Sequence, residues 1–132
     1  MYLRFISPLR DSAREVHQGL FQAIILCREL DDYPAWLREQ IEHEFDWFKK
    51  YLPTPHEDYF PNIHVRARAD HICWFISDAK EMIKRAYVIK ALLNEIGCPI
   101  TVRKTDNPGH ILYRDNWQVV ARPAKKTPIR WC

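Results

Sequence analysis

Residues 71–105 constrain the fold more than any other stretch of this chain. His71-Ile-Cys-Trp-Phe-Ile76 is a continuous apolar run, which suits a strand covered on both faces. Ser77 and Asp78 follow as helix caps, with Glu81 completing an Asp-x-x-Glu box. Ile83, Ala86, Ile89, Leu93 and Ile96 then recur at helical spacing, and Gly97 suits the residue just past a helix end. Ile100–Thr105 reads as the next strand. A strand–helix–strand unit with so short a crossover is expected to be parallel and right-handed.

The flanking segments extend this pattern. Tyr2–Ile6 alternates as a half-buried strand that Pro8 ends. Ser12-Ala-Arg-Glu15 matches a capping box, and Val16, Leu20, Ala23, Ile24 and Cys27 follow at helical spacing, so a first helix is predicted over 12–30. Asp31-Asp32-Tyr-Pro34 stops that helix and starts a second over 34–52, with Leu37, Ile41, Phe45, Phe48 and Leu52 on one face. Lys49 and Lys50 near its end suit the helix dipole. Pro53, Pro55 and Pro61 exclude a regular helix in the long stretch 53–69.

Pro108-Gly109 marks a turn into two further strands, 110–114 and 117–122, joined by Asp115-Asn116 as a two-residue loop. That register would pair Arg114 with Trp117, Leu112 with Val119 and Tyr113 with Gln118. Both faces of the hairpin would then carry apolar pairs and need covering on both sides. The predicted order is β-α-α-β-α-β-β-β: an α+β fold with a five-stranded mixed sheet and three helices. Residues 1–123 form a single domain under this reading, and 124–132 a basic C-terminal tail.

The chain of 132 residues is 47% hydrophobic and 13% aromatic, which places it among core-forming single domains rather than disordered chains. Met1–Pro8 lacks the basic and apolar regions of a secretion signal, and no apolar run reaches the ~18 residues of a membrane helix, so the sequence predicts a cytoplasmic protein with no membrane contact. Cys27, Cys73, Cys98 and Cys132 form no C-x-x-C pair, and the first two sit in apolar patterns where a thiol acts as a small hydrophobe. Charge is uneven. Residues 31–58 hold eight acids and three bases, and residues 99–132 hold seven bases and two acids. Such regions face each other, within one chain or across a dimer, give the basic end an anionic partner, or form an ordinary mixed solvated surface.

Recognisable catalytic patterns are missing from the sequence. His43-Glu44 lacks the second His of a metalloprotease helix, and His56, His64 and His71 are spaced too widely for a zinc pattern. There is no G-x-S-x-G elbow and no glycine-rich phosphate loop, and the hairpin holds no acidic-x-Lys triplet of the kind metal-dependent nucleases use. No cofactor or metal is therefore expected, and an enzyme is the less favoured reading. Arg103, Lys104, Tyr113, Arg114, Asp115, Trp117, Gln118 and Arg122, all on or beside the last strands, are the candidate binding residues. Cations interleaved with aromatics there suit either a protein partner, a second copy of the chain included, or RNA or DNA, with hydrolysis as a possible accompaniment.

The opening Met-Tyr-Leu-Arg-Phe, the Cys73-Trp-Phe run, and Pro108-Gly-His-Ile-Leu-Tyr-Arg-Asp-Asn-Trp-Gln-Val-Val-Ala121 resemble a family of small bacterial proteins of unassigned activity. The resemblance covers most of residues 1–123 and is most specific at the hairpin. It implies a bacterial cytoplasmic origin and no particular activity. The chain departs from the family pattern at Arg114, where an acid usually precedes the hairpin Asp, which weakens any idea of a shared acidic site.

Overall fold

The computed structural model describes residues 1–10, 17–30, 32–53 and 71–124. The capping box at Ser12–Glu15, most of the stretch 53–69 with His56 and His64, and most of the basic tail lie outside the described residues.

The sheet is organised around β1 (Tyr2–Arg10). One edge of β1 pairs with β4 (Thr101–Thr105), from Tyr2↔Thr105 to Ile6↔Thr101. Its other edge pairs with β3 (Ile72–Ile76) through Tyr2↔Ile76 and Leu3↔Phe75. Beyond β3 come β6 (Gln118–Arg122) and then β5 (His110–Arg114). The order across the sheet is therefore β4-β1-β3-β6-β5. The eight predicted elements appear in the predicted order, with one short strand added before the first helix. β3 and β4 point the same way, as expected of a strand–helix–strand unit, but β1 lies between them. Every neighbouring pair of described strands is consequently antiparallel, which corrects the mixed sheet.

The start of the first helix is also corrected. His17–Gly19 is a short strand, β2, paired with the far half of β1 through Ile6↔Gly19 and Arg10↔His17. Helix α1 spans only Leu20–Cys27, with Gly19 extended at its N-cap. β1 continues past Pro8, where the register with β2 shifts between Ile6 and Arg10. A proline has no N–H to give a ladder and is tolerated at such an irregularity.

Helix α2 spans Ala35–Tyr51 and buries Leu37, Ile41, Phe45 and Phe48, the face read from the sequence. Helix α3 spans Lys80–Glu95 and buries Met82, Ala86, Ile89 and Leu93. Its N-cap is Ala79 and no side chain caps it, so the Asp78 box does not form. Its other end behaves as read. Gly97 takes φ 84°, its N–H donates to Asn94 O at 3.1 Å, and Cys98 N–H donates to Leu93 O at 2.9 Å. This is a Schellman cap, and it fixes the turn into β4.

All three helices pack on one sheet face, where Phe5 and Phe75 join Ile24, Ile41, Phe45, Phe48, Ala86, Ile89 and Leu93 in the main core. The alternate strand residues Ile72, Trp74 and Val119 form a second cluster on the other face, with Tyr2 and Ile76 against it. β6 thus lies between β3 and β5 with Val119 and Ala121 fully buried. This explains why it reads as apolar on both sides: it is a central strand. No described helix is long and apolar enough to cross a membrane.

Candidate functional site: an aromatic cleft at the hairpin tip

The β5–β6 register differs from the sequence reading. His110 pairs with Arg122 and Ile111 with Ala121, whereas Tyr113 pairs with Val120 and Arg114 with Val119. One extra residue, Leu112, therefore sits on β5 as a bulge. The turn closes one residue later than expected, with Asp115 N–H donating to Gln118 O at 3.0 Å and Asn116-Trp117 at its tip. No described non-glycine residue takes positive φ. The primed turns that Asp-Asn would favour are thus not used.

Asp115 holds this turn by its carboxylate. Oδ1 accepts from the N–H groups of Trp117 at 2.8 Å and Gln118 at 2.9 Å, and Oδ2 accepts from the Tyr113 hydroxyl at 2.8 Å and from Gln118 Nε2 at 3.0 Å. Gln118 Nε2 also donates to Pro53 O, tying the hairpin to the end of α2. Asp placed first in a tight turn satisfies the orphan amides that follow it. Tyr113, Asp115 and Gln118 therefore build the turn.

The turn delivers Trp117 to the helix side of the sheet, half-buried against the main core. Its carbonyl accepts from Ile76 N–H at 2.8 Å, which fixes it beside the start of α3. Trp117, Trp47 and Tyr51 border a cleft of about 450 Å³ between the hairpin tip, the last turns of α2 and the first turn of α3, with Asp78, Lys80 and Glu81 on its rim. Trp47 and Tyr51 are four residues apart on α2, so they share a face, and their ring centroids are 5.0 Å apart. Arg85 braces the wall from behind. Its guanidinium carbon lies 4.6 Å from the Trp47 ring, and the same group bonds Glu81 at 3.2 Å and Glu44 at 3.3 Å. The hydrogen bond to Glu81 is the largest cause that raises the Arg85 pKa above its ordinary value. The rim carries both signs of charge, so rings rather than net field dominate the cleft.

The other candidate residues are not gathered there. Arg114 lies on the opposite sheet face, where Nη1 donates to the Tyr2 hydroxyl at 3.2 Å. The expected pairing of Arg114 with Trp117 does not occur, because the later turn puts the two on different faces. Arg103 is cross-strand from Arg4 on that same far face, and Lys104 is opposite Leu3. β4 and β5 are separated by three strands, roughly 19 Å at ordinary strand spacing, so Arg103 and Lys104 are remote from the hairpin. Arg122 ends β6, opposite His110.

Trp47, Tyr51 and Lys80 are among the cleft residues that the sequence did not single out. The signal for the first two was present in their i, i+4 spacing off the buried stripe of α2. Cys73 is a further correction. It is exposed, not a core residue, and faces a cavity of about 280 Å³ walled by Phe21, Phe45, Phe48 and Leu52. Among the described residues no cluster of His, Cys, Asp and Glu could hold a metal ion. Comparison with family models, curated proteins and solved structures gave no match.

Proposed function

We propose that the chain is a non-enzymatic interaction module of the cytoplasm that docks a partner protein at the hairpin-tip cleft. One observation carries this reading: two elements distant in sequence, α2 and the β5–β6 turn, bring Trp47, Tyr51 and Trp117 around one open cleft. Large aromatic residues at the centre of a partly desolvated pocket are the usual anchors of protein interfaces. The rim acids Asp78 and Glu81 face the rim base Lys80, so charge does not select the occupant. The favoured occupant is an uncharged aromatic or aliphatic side chain on a short partner segment, its flanks hydrogen-bonding to the rim.

Selection from a random peptide library displayed on phage tests this. Peptides with such an anchor should be enriched and bind Tyr51→Ala and Trp117→Ala at least about tenfold more weakly, a difference of about 1.4 kcal/mol. Failure to enrich any peptide, or enrichment that both variants retain, contradicts the reading. Light scattering checks the second-copy case; a dimer dissolved by Trp117→Ala would identify the chain itself as the occupant.

A second reading is favoured by Arg103 and Arg114, which share the sheet face away from the helices with Tyr2. Such a face suits phosphates of RNA or DNA. Gel-shift titration with single-stranded RNA separates the two: binding that collapses with salt and survives Trp117→Ala supports the second reading, and no shift at low salt ends it.

A further inference from the structure

The edge of β1 away from β4 is forked. Ile6 pairs with Thr101 of β4 and with Gly19 of β2, so β2 lies on the side of β1 opposite β4. Tyr2 pairs with Thr105 of β4 and with Ile76 of β3, so β3 uses that same edge. The described pairing with β3 ends at Leu3 and that with β2 begins at Ile6, so the two neighbours part at Arg4 and Phe5. A cavity of about 260 Å³ occupies the fork. Continued past Leu3, the register sets Arg4 across from Trp74, and both line the cavity. Another wall is the start of α1, from Gly19 to Gln22.

Three features of this lining suit an anion. No side chain caps α1 and its first turn holds no acid, so no carboxylate there neutralises the positive end of its dipole. Arg4, at 8% exposure, is the permanent cation of the lining, and no described acid lines the cavity. A guanidinium carries five N–H donors, so it can serve its neighbours and still grip a carboxylate. Trp74 is 1% exposed, and among the described residues its indole Nε1–H has no acceptor. A buried donor in that state is costly, and a bound ligand would supply the acceptor.

We propose that the fork binds a small organic monocarboxylate with an aromatic or branched aliphatic body. The carboxylate lies between Arg4 and the start of α1 and accepts from Trp74, while the body packs on Phe5, Leu20, Phe21 and Phe75. One buried cation matches one negative charge, whereas a phosphate dianion would leave charge uncompensated among apolar walls. An apolar cavity of ~150 Å³ already holds benzene, so about 260 Å³ admits a ring with its carboxylate. The inference is independent of the proposed docking function, since Trp47, Tyr51 and Trp117 line a separate cleft.

The test is an NMR titration of the full, isotope-labelled chain, which reads the Trp74 indole N–H directly; Trp74→Phe identifies that signal by its loss. Benzoate, phenylacetate and isobutyrate are the probes, with benzamide as the neutral counterpart of benzoate and inorganic phosphate as the competing anion. At least one carboxylate should move the signal saturably, with a Kd of about 1 mM or lower. Benzamide and phosphate should bind at least about fivefold more weakly. Arg4→Lys keeps the charge but loses the fork of donors, and should raise the Kd at least about tenfold. Trp74→Phe, followed through the Leu20 backbone N–H, should raise it about threefold. Should Arg4→Lys fail to fold, the benzamide comparison and Trp74→Phe decide. A Trp74 signal that no carboxylate moves, benzamide or phosphate binding as tightly as the carboxylates, or an unchanged Kd in Trp74→Phe overturns the proposal.

Discussion

Arg85 lies across the ring of Trp47, its guanidinium carbon 4.6 Å from the ring centroid. That contact joins α3 to α2 behind the cleft, and the ion pair with Glu44 reinforces it. Removing the cation leaves a ring free to tilt and a carboxylate without its counter-charge. Arg85→Gln should lower the melting temperature by a few degrees at low salt, with a smaller loss at about 1 M salt. Tryptophan emission should shift as Trp47 becomes more mobile. Unchanged emission would mean that the ring is held by the core alone.

Asp115 accepts four hydrogen bonds inside one turn. Asp115→Ala strands two amides and the Tyr113 hydroxyl, and leaves the buried Gln118 side chain only its bond to Pro53 O. The expected loss is about 2 kcal/mol in urea unfolding. Asp115→Asn keeps acceptor capacity at one oxygen and should lose about half as much. Equal losses for the two would show that charge, rather than acceptor geometry, holds the tip.

Gly97 and Gly109 both take positive φ, at 84° and 103°. A Cβ on Gly97 meets nothing within 4 Å, whereas one on Gly109 would overlap the carbonyl of Arg122 and the amide of Ala124. Gly97→Ala should cost only the left-handed strain of an ordinary residue, about 1 kcal/mol. Gly109→Ala adds backbone overlap between β5 and β6 and should cost roughly 3 kcal/mol. Paired unfolding curves check the order; a reversed order would contradict the described turn into β5.

Burial and the neighbouring Cys27 push the Cys98 thiol from 9.0 to about 11. A folded-state pKa above the unfolded one means that the folded state holds its proton longer. This contribution is complete below pH 9.0 and is lost as pH rises toward about 11. Melting temperature should therefore fall across that window, and Cys98→Ala should flatten the fall.

The order of elements was legible because each buried stripe repeats at its own period, as Leu37, Ile41, Phe45 and Phe48 do on α2. The Gly97 cap was legible because one residue type fits that backbone. Other features depend on tertiary pairing. The segment ending at Gly19 carries a helical pattern, yet β1 recruits His17–Gly19 as a strand, and ladder bonds outweigh local preference. The hairpin register turned on the bulge at Leu112, which alternation of apolar residues cannot reveal. That shift of one residue sent Trp117 and Arg114 to opposite faces. Of the expected residues Trp117 borders the cleft, while the cations lie elsewhere. Cys73 looked like core because its neighbours are apolar; among the described residues it opens on the cavity between Phe21 of α1 and Phe45 and Phe48 of α2.

The docking role of the cleft is tested most directly by calorimetric titration of the tightest selected peptide into wild type, Tyr51→Ala and Trp117→Ala, each first shown to be folded by its melting curve. The account predicts one-to-one binding to wild type and at least about tenfold higher Kd for both variants. Equal Kd across the three proteins would contradict it.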